Sequence, residues 1–145
     1  AAEVGSVISI HAGTYEEQPI VIYREDLQII GDGAVRIVCQ SKSPVLRLLA
    51  ERLLIKNLTL HQEAEEDPDS DSIACLVIES GAATIDACTI SGTAGGVLIT
   101  RSAEPLVANC TITDCMDFGI KLWGSARPRV EQCILRELKG FGIVA

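Results

Sequence analysis

Ala83-Thr84-Ile85-Asp86-Ala87-Cys88-Thr89-Ile90, Pro105-Leu106-Val107-Ala108-Asn109-Cys110-Thr111-Ile112 and Pro128-Arg129-Val130-Glu131-Gln132-Cys133-Ile134-Leu135 are one pattern written three times. The cysteines fall 22 residues apart and then 23. Each copy ends in a second short apolar stretch: Gly96-Val97-Leu98-Ile99, Gly119-Ile120-Lys121-Leu122 and Gly142-Ile143-Val144-Ala145. A repeat near this length, built of short apolar stretches and turns, implies stacked units that share one core.

Within each copy the apolar residues recur two apart, the period of a strand, and no copy sustains the helical spacing of three and four. Neither a leucine-rich frame nor a propeller blade of about 40 residues fits. The pattern therefore predicts an all-β fold, a right-handed parallel β-helix of about five to six coils, with equivalent strands about 4.8 Å apart. Four inward ladders are expected: Ile55, Ile85, Val107 and Val130; Leu58, Cys88, Cys110 and Cys133; Leu60, Ile90, Ile112 and Leu135; Val97, Ile120 and Ile143. Their burial, at roughly 25 cal/mol per Å², stabilises coils that could not fold singly.

Working outward, Val7 to Ile10, Ile20 to Tyr23, Leu27 to Ile30, Val35 to Cys39, Val45 to Leu49 and Leu53 to Leu60 read as the strands of the earlier coils. His11 to Glu17 and Gly31-Asp32-Gly33 read as turns, the latter a tight one in which glycine supplies positive φ. A one-residue slip is expected near Leu48, and Ala1 to Glu3 read as the end of a helix stopping at Gly5. The step from Leu58 to Cys88 is 30 residues because an acidic loop, 62–72, interrupts the period. Glu63, Glu65, Glu66, Asp67, Asp69 and Asp71 there supply six of the eight net negative charges, so a solvated excursion is expected. Asp67, Asp69 and Asp71 begin like a calcium loop, but Ser72 and Ile78 stand where its glycine and bidentate glutamate belong.

The 145 residues read as a single domain, 1–145, of a longer chain, since they open abruptly and stop inside a strand. The net charge of −8 argues against a nucleic-acid partner, and no apolar run reaches the ~18 residues of a membrane span. The last strand leaves an open edge on which further coils or another chain could stack. Stacked cysteines have parallel Cβ vectors that do not converge into a disulfide, so all six are expected as reduced thiols, in the cytoplasm or nucleus. Cys110 and Cys115 lack a second pair, and His11 and His61 are remote in sequence, so neither a metal site nor a cofactor is expected.

Ile8-Ser9-Ile10-His11-Ala12-Gly13-Thr14-Tyr15-Glu16-Glu17, followed by Ile29-Ile30-Gly31-Asp32-Gly33, resembles the opening coil of the carbohydrate-binding and sugar-hydrolase-like β-helix repeats. Within that family the chain is most similar to the F-box β-helix proteins. Their buried asparagine is cysteine at 88, 110 and 133, where a thiol is expected only to fill space, and a partial row at Asn57 and Asn109 is broken by Ala87. The resemblance implies the substrate-binding part of an F-box-type ubiquitin ligase, although the chain holds no F-box. It also leaves open a scaffold subunit of a larger assembly, or a carbohydrate-binding, pectin-enzyme-like domain, because this fold hosts all three.

No catalytic residues are expected. Asp117-Phe118-Gly119 invites comparison with a pectin methylesterase strand, but Phe118 and Gly119 recur as Phe141 and Gly142, and no second aspartate stands with an arginine. A Ser-His-Asp set is not expected from two remote histidines. A non-enzymatic protein-recognition module is the favoured reading. Its candidate binding residues are Lys121, Trp123, Arg127 and Arg129, where the only tryptophan sits among cations and Lys121 and Trp123 alternate outward from Ile120 and Leu122. That turn could accept an acidic or phosphorylated segment of a protein partner. The alternative is that Trp123 merely packs over the turn.

Overall fold

The two-residue alternation folds, in a computed structural model, into sixteen strands and no helix among the described residues. The structure describes residues 5–40, 43–63 and 74–145. In chain order the strands are β1 Val7–Glu16, β2 Ile20–Ile22, β3 Leu27–Cys39, β4 Leu46–Leu48, β5 Leu53–Lys56, β6 Thr59–Gln62, β7 Ala74–Ile78 and β8 Thr84–Asp86. They continue as β9 Thr89–Gly92, β10 Gly95–Ile99, β11 Leu106–Ala108, β12 Thr111–Cys115, β13 Phe118–Leu122, β14 Arg129–Glu131, β15 Ile134–Arg136 and β16 Phe141–Val144.

All pairings between them are parallel, and each strand pairs with its equivalent one coil away. One sheet runs β14-β11-β8-β5-β3-β6-β9-β12-β15, with β1 also on β3; the other runs β16-β13-β10-β7-β4-β2. Three of the four expected ladders are pairs in register. Ile55, Ile85, Val107 and Val130 stack, as do Leu60, Ile90, Ile112 and Leu135, and Val97, Ile120 and Ile143. Earlier coils extend them through Ile29, Ile37 and Leu76. The interior is almost dry, Ile55, Leu60, Ile85, Ile90 and Val97 being fully buried. In the coil that carries β16 the same row is open: Ile143 is 58% exposed against 1% for Ile120.

Several expectations are corrected. Gly31-Asp32-Gly33 is not a tight turn, because β3 runs through it and bends at Gly33, whose φ is +87°. Gly31 is required by close approach: a Cβ there would run into the carbonyl oxygen of Asn57 in the next coil. His11 to Glu17 likewise belongs to β1, whose pairing with β3 absorbs the bend as a register shift between His11 and Gly13. Leu53 to Leu60 is two strands, divided where Asn57 turns the backbone left-handed at φ 58°. The slip near Leu48 is absent, since Leu46 and Leu48 pair squarely with Leu76 and Ile78.

The cysteine ladder does more than fill space. Cys88 Sγ donates to Asp86 O at 3.4 Å and Ile55 O at 3.6 Å. Cys110 Sγ reaches Ala108 O at 3.2 Å and Ile85 O at 3.5 Å, and Cys133 Sγ reaches Val107 O and Glu131 O, both at 3.4 Å. These weak S–H donors tie each turn to the coil before it, the task asparagine performs in the repeats the chain resembles. All six cysteines are free thiols. Most of the acidic stretch, and Ala1 to Glu3, lie outside the described residues. Among the described residues no helix is long and apolar enough to cross a membrane.

Candidate functional site

Where β13 leaves the second sheet and the chain turns toward β14 in the first, the four candidate residues wrap one corner of the solenoid. Lys121 and Trp123 point outward because Ile120 and Leu122 occupy the inward rows. Trp123 is 64% exposed, so it does not pack down over the turn. The Lys121 ammonium lies 5.6 Å from the Trp123 ring centroid and 5.6 Å from that of Phe118, within cation-π range of both. Lys121 is thereby held upright between two aromatic faces rather than lying along the sheet.

Arg127 and Arg129 are exposed beyond the turn, their backbone amides donating to Ala103 O and Pro105 O of the previous coil, each at 2.9 Å. Arg129 is partly neutralised by an ion pair with Glu131. Arg127 forms no ion pair among the described residues.

One member of this corner escaped the sequence reading. Arg101 occupies the equivalent turn one coil earlier: Ser125 N donates to Arg101 O at 2.7 Å, and a Cβ on Gly124 would stand 3.1 Å from that same oxygen. It is exposed, unpaired among the described residues, and left-handed at φ 59°. The repeat itself held the signal, since Ile99 stacks on Leu122 and 101 therefore falls beside 124. Four cations then stand at this corner, of which Arg129 is paired with Glu131.

Beneath the corner, Phe118 is buried on the outer surface of the second sheet with Ala74 and Val77, although it belongs to the outward row that pairs with Phe141. Gly95 makes room for its ring. This ring is the floor on which Lys121 stands.

A second grouping departs from expectation. A Ser-His-Asp set was not expected, yet Ser91, His61 and Glu63 meet on the outer face of the first sheet. His61 Nδ1 is 2.7 Å from Ser91 Oγ, and His61 Nε2 is 3.3 Å from Glu63 Oε1. The 30 residues from His61 to Ser91 equal the step from Leu58 to Cys88, so one coil separates them in space.

Against known families, the model described as a right handed beta helix region matches residues 48–145, which is more than half of the chain. No curated protein matches, and no solved structure does.

Proposed function

Since the chain belongs to the right-handed β-helix family, we propose that it is a protein-recognition module whose Lys121, Trp123, Arg101, Arg127 and Arg129 grip an acidic or phosphorylated segment of a partner. The observation that carries this reading is the exposed Trp123 ring beside Lys121, with two cations, Arg101 and Arg127, that no carboxylate of the described residues pairs. An aromatic anchor of this kind supplies apolar contact, while guanidinium groups take carboxylate or phosphate oxygens in forked hydrogen bonds. In an otherwise acidic chain of net charge −8, a local cationic corner also steers an acidic segment to one place. The resemblance to F-box β-helix proteins would make that segment part of a ligase substrate, met in the cytoplasm or nucleus.

The test pairs stability with binding. Trp123→Ala should cost under about 1 kcal/mol, as expected for an exposed residue, and Arg101→Ala with Arg127→Ala should weaken capture of acidic or phosphorylated peptides from an immobilised library. Loss of 3 kcal/mol or more of stability in Trp123→Ala, typical of a buried large side chain, would make Trp123 structural. Capture of glycans instead of peptides would support the carbohydrate-binding alternative.

A further inference from the structure

From the cluster of Ser91, His61 and Glu63 we infer an acyl-accepting nucleophilic site, with Ser91 as nucleophile and His61 as its base. The parts come from two neighbouring rungs. β6 carries His61 outward, and Glu63, two residues on, returns to the same side of the chain. β9 carries Ser91 into the position that pairs with His61. The His61 side chain is 20% exposed, which shields its hydrogen bonds while leaving the ring edge open, and Glu63 is 51% exposed.

The geometry selects one tautomer with work for each group. Nε2–H donates to Glu63 Oε1, and the lone pair on Nδ1 accepts the Ser91 hydroxyl. A serine activated by an adjacent base, itself oriented by a third group, is the general arrangement for nucleophilic catalysis. Ser91 Oγ adds to an ester carbonyl carbon while its proton passes to His61 Nδ1, and the carbonyl π pair moves to oxygen. Collapse breaks the bond to the leaving alkoxide or phenoxide, which takes the proton from His61. The product is an ester on Ser91, and water deprotonated by His61 then releases the acid and restores the hydroxyl.

The same sheet also sets the class of substrate. β9 lies between β6 and β12, so its backbone amides belong to the ladders rather than pointing at an oxyanion. The donors left on that face are side chains: the hydroxyls of Thr59, Thr89 and Thr111 stand in the neighbouring row, while Thr113, beside Ser91, bonds Asp114 Oδ2 at 3.2 Å. Losing even one oxyanion donor costs about 10²- to 10³-fold in rate. The site therefore takes acyl groups from activated donors with good leaving groups, aryl esters or thioesters, and deacylates slowly. It goes beyond the recognition role of the distant corner and does not depend on it.

The full chain is incubated with p-nitrophenyl acetate, following nitrophenolate release and locating the acetyl group by peptide mass spectrometry. Expected are a burst of at most one equivalent, acetyl on Ser91, no burst in Ser91→Ala, and acylation at least roughly 100-fold slower in His61→Ala. Glu63→Gln should slow acylation while labelling stays at Ser91, a readout that lost folding would not produce. Ser91→Cys, probed with iodoacetamide, repeats the test should Ser91→Ala fail to fold. Labelling spread over other serines, or labelling of Ser91 unchanged by His61→Ala in a folded variant, overturns the assignment.

Discussion

The ring of Phe118 lies over Gly95 of the preceding coil, and a Cβ at residue 95 would run into that ring. Phe118 keeps only 4% of its surface exposed there, although it is an outward residue of β13. Lys121, 5.6 Å above the ring, is positioned by the same contact.

Gly95→Ala is accordingly expected to cost roughly 1–3 kcal/mol, the usual range for overpacking a filled site. It should also lower binding at the corner, because a displaced ring no longer supports Lys121. Urea denaturation and a peptide titration on the same variant check both. Unchanged stability together with unchanged binding would show that the ring moves aside freely.

The turn between the two halves of each coil is left-handed at Asn57, Ala87, Asn109 and Gln132, with φ of 58°, 53°, 53° and 52°. Asparagine suits this conformation and uses it: Asn57 Nδ2 donates to Gly31 O at 2.9 Å and Asn109 Nδ2 to Asp86 Oδ1 at 3.0 Å. Alanine has no such bond and carries a Cβ penalty of about 1–2 kcal/mol. Ala87→Asn or Ala87→Gly is expected to raise stability by about 1 kcal/mol, seen as a higher denaturation midpoint at constant slope. A loss would mean that the exposed Ala87 contributes something its backbone does not reveal.

Burial pushes the Cys115 thiol from an ordinary value of 9.0 up to about 11, and burial raises Cys75 as well. In Cys110 the neighbouring Cys88 thiol, then burial, acts in the same direction. The unfolded chain releases these protons near 9 while the folded chain retains them. The Cys115 contribution to stability should therefore be level below about pH 9 and fall between 9 and 11, by up to about 1.4 kcal/mol per pH unit. Denaturation midpoints across that window, compared with Cys115→Ala, measure the effect. An identical slope in the variant would remove Cys115 from the account.

The ladders, the parallel sheets and the direction of Lys121 and Trp123 were legible because stacking in a solenoid preserves sequence period: a residue's neighbour is one coil away, and alternation settles which side it faces. The left-handed row was half legible, as Asn57 and Asn109 announce it and Ala87 conceals it. Residues 11–17 and 31–33 were misread as turns because local glycine chemistry favours a turn, whereas pairing along the whole of β1 and β3 outweighs it.

What the sequence by itself determined is the repeat, hence the architecture, the core rows and the outward direction of one aromatic among cations; its exposure was settled only by the structure. Only the tertiary structure decided which side chains meet between rungs. Arg101 joins Trp123 through the stacking of two turns, Phe118 lies down because Gly95 leaves a space, and His61 reaches Ser91 because β6 and β9 pair in that register. Each depends on where the backbone of one coil sits over the next. That registration is set by the packing of the whole core, and no local run of residues encodes it.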